Sequence, residues 1–260
     1  MPASRAATEW VGFKTIIIRE FSRIVRIWGQ TLVPPAVTAT LYFVIFGSLI
    51  GRRVGQVGGF DYMQFIAPGL IMMTVIQNSY ANVVSSFFGA KFGKHVEELL
   101  VSPLPNWLIV TGYVGGGVLR GTLVGVVVAI VSFFFTHLSV AHVFAVISAA
   151  FLTSVVFALG GFINALFAKN FDQISWFPTF VLTPLTYLGG VFYSITMLPR
   201  WAHFVSHANP ILYMVSAFRY GFLGTTDVDL RLAYGIMVSS AVLMYALAVT
   251  FLHRGMGIRE

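Results

Sequence analysis

The stretch from Pro184 to Gly224 limits the fold of this 260-residue chain more than any other. It is too apolar for an ordinary surface loop, yet Gly189, Gly190, Pro199, Asn209 and Pro210 interrupt it too often for one continuous helix. Proline removes an internal hydrogen bond, and glycine costs a helix about 1 kcal/mol. In a bilayer, backbone broken in this way survives only where protein or a water-lined cavity satisfies its polar groups. The stretch therefore reads as a helix ending near Tyr193, followed by short re-entrant or interfacial helices over Pro199–Ala208 and Pro210–Phe222.

Composition points to the same solvent. With 57% hydrophobic and 10% charged residues, a soluble fold would expose apolar surface on a large scale. The chain has no cysteine, which removes disulfides, thiol catalysis and thiolate metal sites. A formal charge of +7 would suggest nucleic acid as partner to a soluble protein. Here the placement of that charge fits the positive-inside rule, and no nucleic-acid partner is expected.

Residues 1–30 carry much of the charge. Lys14, Arg19, Glu20, Arg23 and Arg26 cut the apolar windows, which argues against a cleaved signal. Trp10, Phe13, Ile17, Phe21 and Ile24 recur at helical spacing with the basic residues largely elsewhere, so a basic amphipathic interface helix is expected.

Hydropathy then places six spans of about 20 residues or more. The first is Thr31–Ile50, with Pro34 and Pro35 in its opening turn. A short polar turn over Gly51–Asp61 leads to Tyr62–Phe88, which is long enough to tilt, or to kink near Pro68 and Gly69. Gln77, Asn78 and Asn82 in this span should face other helices or a pathway, because lipid tails offer no hydrogen bonds. The third span is Leu108–Phe135, where Gly117, Gly121 and Gly125 form a close-packing stripe. Arg120 lies in that span; a cation there costs about 2.5 to 3.5 kcal/mol on insertion scales and calls for a partner or an anionic substrate group. The fourth and fifth spans are His142–Ala168 and Ile174–Tyr193, joined by a polar reversal at Lys169–Gln173. Trp176 and Trp201 suit interfacial belts. The sixth is Arg231–Leu252, followed by a basic tail over 253–260.

Six crossings put both termini on one side. Ten of the sixteen Lys and Arg residues then fall on that side and five on the other, with Arg120 inside the membrane, so the termini are expected in the cytoplasm. The fold expected is an all-α integral membrane protein, one domain with an interface helix over 1–30, a six-span bundle over 31–252 and a cytoplasmic tail.

Between the second and third spans, Lys91–Val101 can form a short amphipathic helix stopped by Pro103 and Pro105. It holds the adjacent acids Glu97 and Glu98. The run Gly89 to His95 imitates a phosphate-binding loop but has three residues between its glycines instead of four, and His95 replaces the hydroxyl residue that would ligate magnesium. No nucleotide site is assigned to it. His203 and His207 share a helical spacing but lack an accompanying carboxylate, and no catalytic, cofactor or metal site is expected.

The run Gly189-Gly190-Val191-Phe192-Tyr193-Ser194, then Leu198-Pro199, Asn209-Pro210-Ile211-Leu212-Tyr213-Met214 and Phe218 to Gly224, resembles the C-terminal signature of the membrane subunit of ABC type-2 exporters. The match is to small bacterial inner-membrane permeases with six spans and no ATPase of their own. That resemblance implies a homodimer around a translocation pathway, with ATP and magnesium bound on separate ATPase subunits. It also implies that the loop after the second span is the coupling helix entering a cleft on the ATPase, a role carried to Glu97, Glu98, Leu99, Leu100, Ser102 and Pro103. An amphipathic, lipid-like or drug-like substrate is expected, with a polysaccharide or lipid-linked glycan as the alternative. From other classes, a secondary transporter would need acidic residues mid-span, which are lacking, and a non-transporting scaffold or channel would not need so elaborate a broken segment.

Overall fold

The computed structural model describes residues 5–102 and 104–257. The chain begins with α1 (Arg5–Arg26), separated by Ile27 alone from α2 (Trp28–Val44). Helix α2 starts before the expected Thr31, so Pro34 and Pro35 fall in its interior, not its first turn. Each proline removes a donor to the carbonyl four residues back, which loosens this helix where it faces α4 (Tyr62–Phe92). The end of α2 widens into a π-helical turn over Ile45–Gly51 and the three-residue α3 (Arg52–Val54).

The expected polar turn contains a small β-hairpin, β1 (Gln56–Val57) against β2 (Phe60–Asp61). Gly58 and Gly59 join the strands at φ of 60° and 85°, backbone that a two-residue hairpin turn demands. Asp61 then opens α4 in a capping box with Gln64.

Helix α4 is the central post. It is 31 residues long and packs most extensively on α6 (Asn106–Phe133) and α7 (Val143–Phe167). Gly117, Gly121 and Gly125 of α6 lie against Ser79, Val83 and Val75 of α4, so a side chain at any of them would collide with this neighbour. Two hydrophobic clusters lie along α4. One gathers Phe43, Ile66, Leu70, Met72, Leu212 and Met214; the other gathers Ile16, Phe87, Phe88, Tyr113, Phe162 and Leu166.

After α5 (His95–Val101), α6 and α7, the chain reverses into a continuous helical run: α8 (Phe171–Phe177), a π-helical turn at Pro178–Leu182, and α9 (Thr183–Leu188). This run ends at Leu188, five residues before the expected Tyr193, and gives way to Gly189 and Gly190; Gly190 takes φ 74°, which helix cannot accommodate. Two short helices follow, α10 (Arg200–His207) and α11 (Pro210–Leu223), and then α12 (Leu230–His253).

Among the described residues, four helices are long and apolar enough to cross a membrane: Trp28–Gly47, Asn106–Phe133, Val143–Phe167 and Leu230–His253. That is two fewer than the six expected. Helix α4 has the length, but Gln77, Asn78, Ser79 and Asn82 dilute its hydropathy, and Asp172, Gln173 and the threonines and prolines that follow do the same for the run from Phe171 to Leu188.

Candidate translocation groove and coupling helix

The polar residues of α4 separate into two groups. Gln77 and Asn78 are half-buried, and the Asn78 side-chain amide donates to the Thr74 carbonyl at 3.0 Å, within its own helix. Gln77 lines two cavities at once. One, of about 430 Å³, lies between α4 and the run Ile174–Thr183; the other, of about 200 Å³, lies between α4 and the proline-bearing part of α2. Helix α4 is therefore the floor of a groove walled by α2 on one side and by α8 and α9 on the other. Tyr80 on this floor is held by Asn164, whose amide donates to its hydroxyl at 2.7 Å, and by stacking on Phe177. One end of the groove is closed where α2 meets α9: the Tyr42 and Tyr187 hydroxyls are 3.2 Å apart, and Phe192 stacks on Phe46 at 4.8 Å.

Asn82 belongs to a different cluster. Glu20 of α1 is 1% exposed and accepts from Arg23 Nη2 at 3.0 Å, from Asn82 Nδ2 at 3.3 Å and from the Ser86 hydroxyl. Arg23 also donates to Asn82 Oδ1 at 2.6 Å and to Ser85 Oγ at 3.2 Å. Arg19 donates to the Tyr113 hydroxyl at 2.6 Å. The face of α1 turned inward is Ile16, Glu20 and Ile24, while Trp10 and Phe21 of the expected apolar stripe stay exposed. Arg23 is thus drawn off the polar face to serve a buried carboxylate.

Arg120 is half-buried on α6, and its Nε is enclosed without a hydrogen-bond partner. The partner expected for it is not found among the described residues, and its charged neighbour is a second cation, Arg23.

Helix α5 is shorter than the expected Lys91–Val101. The break is at Gly93 and Lys94, where Lys94 takes φ 61°. Lys91 stays on α4 and donates to the last carbonyls of α7, Leu166 at 2.7 Å and Ala168 at 2.8 Å, a site favourable to a cation. Glu97 and Glu98 are exposed in the first turn of α5, where the helix dipole favours them. Val96 is buried, Leu99 and Leu100 are half-buried, and Ser102 Oγ caps the Leu99 carbonyl at 2.5 Å. Pro103 lies outside the described residues. Phe92 and Val101 are exposed on either side of the acidic pair.

Of the broken motif, Gly189, Gly190, Asn209 and Pro210 converge, while Pro199 stands apart at the start of α10. Asn209 caps α11 by accepting from the Ile211 amide at 3.0 Å and donates to the Leu185 carbonyl at 2.6 Å; Pro210 takes the first helical position, where a missing donor costs nothing. Gly189 packs against Ile211, and the Gly190 carbonyl accepts from Arg219 at 2.6 Å. Arg219 is 2% exposed, lies 3.9 Å from the Phe65 ring centre, and pairs with Asp227 at 3.6 Å. Arg219 is one of the five basic residues assigned to the outer side by the charge count. It is a buried pin instead, holding α11 to α4 and to the glycine turn.

The family described as ABC-2 type transporter matches residues 11–223, from the second turn of α1 through α11. The chain belongs to the ABC-2 type transporter family. The inner membrane transport permease YadH of Escherichia coli strain K12 is 56% identical to it over 251 residues, 96% of this chain and 98% of that protein. Nodulation protein J of Neorhizobium galegae is 25% identical over 218 residues, 82% of each chain, and that of Rhizobium meliloti strain 1021 is 22% identical over 215 residues.

In this ABC-2 chain the sequence reading missed Glu20, Arg219 and Asp227. A signal for Glu20 did exist, since it stands four residues from both Ile16 and Ile24, in the middle of an apolar row. Arg219 lies within an apolar run, and although its ion-pair partner Asp227 is eight residues on, its hydrogen-bond partners come from positions 29 and 154 residues away, which no local pattern marks.

Proposed function

We propose that this chain is the permease of an ATP-driven exporter in a bacterial inner membrane, with six crossings, both termini in the cytoplasm, and a second copy of itself completing the pathway. The observation that carries this reading is the groove over α4. Gln77 and Thr74 bring polar groups to a surface that α2 and the run α8–α9 flank but leave open, and polar surface of this kind in a membrane bundle belongs toward protein or water. A partner copy facing this groove would turn two troughs into one enclosed path. The lining mixes apolar residues such as Val84, Ile174, Leu182 and Leu70 with hydroxyl and amide side chains, and Tyr80 and Tyr42 are its aromatic members, which suits an amphipathic substrate better than a polysaccharide needing a continuous aromatic track. The energy comes from a separate ATPase that binds ATP and magnesium and docks on α5 through Glu97, Glu98 and the residues up to Pro103, with α1 beside it at the membrane surface.

The absence of native cysteine makes the test direct. Single cysteines at Thr38 and Thr179, on the two walls of the groove, are expected to give disulfide-linked dimers when oxidised in native membranes. Monomer alone at both positions would remove the groove from the dimer interface and overturn the pathway assignment.

A further inference from the structure

A cavity of about 380 Å³ opens between α1, the C-terminal part of α4 and the first residue of α5. Arg19, Arg23, Arg26 and His95 line it together with Ser85 and Ser86. Glu20, behind Arg23, offsets one of these cations, and Glu97 and Glu98 are not in the lining. Arg120 adds a further positive charge next to Arg23 and has no hydrogen-bond partner for its enclosed Nε. Arg26 makes no hydrogen bond to a described residue, so its forked donors are free for an oxyanion. Positive charge crowded beside a low-dielectric interior is costly until an anion joins it.

The surroundings indicate which anion. On α1, Ile18, Phe21 and Val25 are all at least half exposed, as is Trp28 at the start of α2, so aliphatic and aromatic surface runs alongside the arginines of the cavity. A helix with this mixture lies at the level of lipid headgroups. We propose that the cavity binds the phosphate headgroup of an anionic phospholipid from the surrounding bilayer, with its acyl chains along the exposed apolar side of α1. The guanidinium groups hold the phosphate oxygens, and the bound lipid relieves the repulsion between Arg23 and Arg120.

The full-length chain, purified in detergent and freed of lipid, is titrated with short-chain phosphatidylglycerol, phosphatidylcholine and inorganic phosphate. Phosphatidylglycerol should bind at least about tenfold more tightly than phosphatidylcholine, because only the former carries net negative charge. In Arg19→Gln/Arg26→Gln the affinity for phosphatidylglycerol should fall by about 30-fold, a little over fivefold for each cation, and the preference should be lost. Arg26→Gln alone, an exposed change that leaves the Glu20 cluster intact, should lose about fivefold, and Arg26→Lys should keep most of the binding. Equal binding of the two lipids, or an unaltered preference in the double variant, overturns the proposal. Displacement of phosphatidylglycerol by inorganic phosphate at matching concentration would make the occupant a soluble anion, and overturns it as well.

Discussion

Glu20 carries the strongest case at the scale of single residues. A carboxylate at 1% exposure is tolerable only because Arg23, Asn82 and Ser86 supply its hydrogen bonds. Removing one member leaves the others uncompensated, so Glu20→Ala should lower stability by about 3 to 5 kcal/mol. The double variant Glu20→Ala/Arg23→Ala should recover part of that loss, since the stranded cation is gone as well. Thermal unfolding of the purified proteins reads both effects, and an unchanged midpoint in Glu20→Ala would show the cluster to be dispensable. The residues of this cluster were visible in the sequence as types, but their meeting was not. Asn82 was noted as a polar residue facing other helices, and that much was legible because lipid offers it no partner. That its partner would be a glutamate 62 residues earlier depends on how α1 docks.

Among the elements, α5 shows how local signals set a helix and how one residue can redraw it. The stop at Pro103 and Pro105 was readable from the backbone limits of proline, and the helix does end at Val101. Its start was misplaced, because the left-handed turn at Lys94 follows from the need to swing α5 away from α4 while Lys91 stays on the α7 terminus. The result is a short rigid arm with Glu97 and Glu98 exposed and Val96 seated in the core. Glu97→Lys/Glu98→Lys is expected to reduce co-purification of the partner ATPase by at least about tenfold, because charge at such an interface sets docking and specificity. Insertion and dimer formation should be unaffected. Wild-type co-purification together with wild-type ATP hydrolysis would take the acidic pair out of the contact and make α1 the next candidate.

For the whole molecule, sidedness rests on charge. Arg219 is buried against Asp227 and Phe65, so it leaves the outer count, which falls from five to four against ten. Reporter fusions after Gly55, Leu138 and Asp227 should report the outer side, and fusions after Lys94, Asn170 and Arg254 the cytoplasm. A cytoplasmic signal at Asp227 would break the six-crossing arrangement. Long apolar stretches, the prolines that end helices and the glycine stripe of α6 were determined by the sequence itself, because helix formation in a bilayer satisfies the backbone locally and small residues allow close approach whatever the neighbour. Tertiary structure alone decided that α4 is the central post with an open polar floor, that Glu20 turns inward, and that Gly190, Phe65 and Asp227 meet on Arg219. These depend on contacts between residues far apart in the chain. Periodicity fixes which residues share a face, but not which neighbour that face will meet.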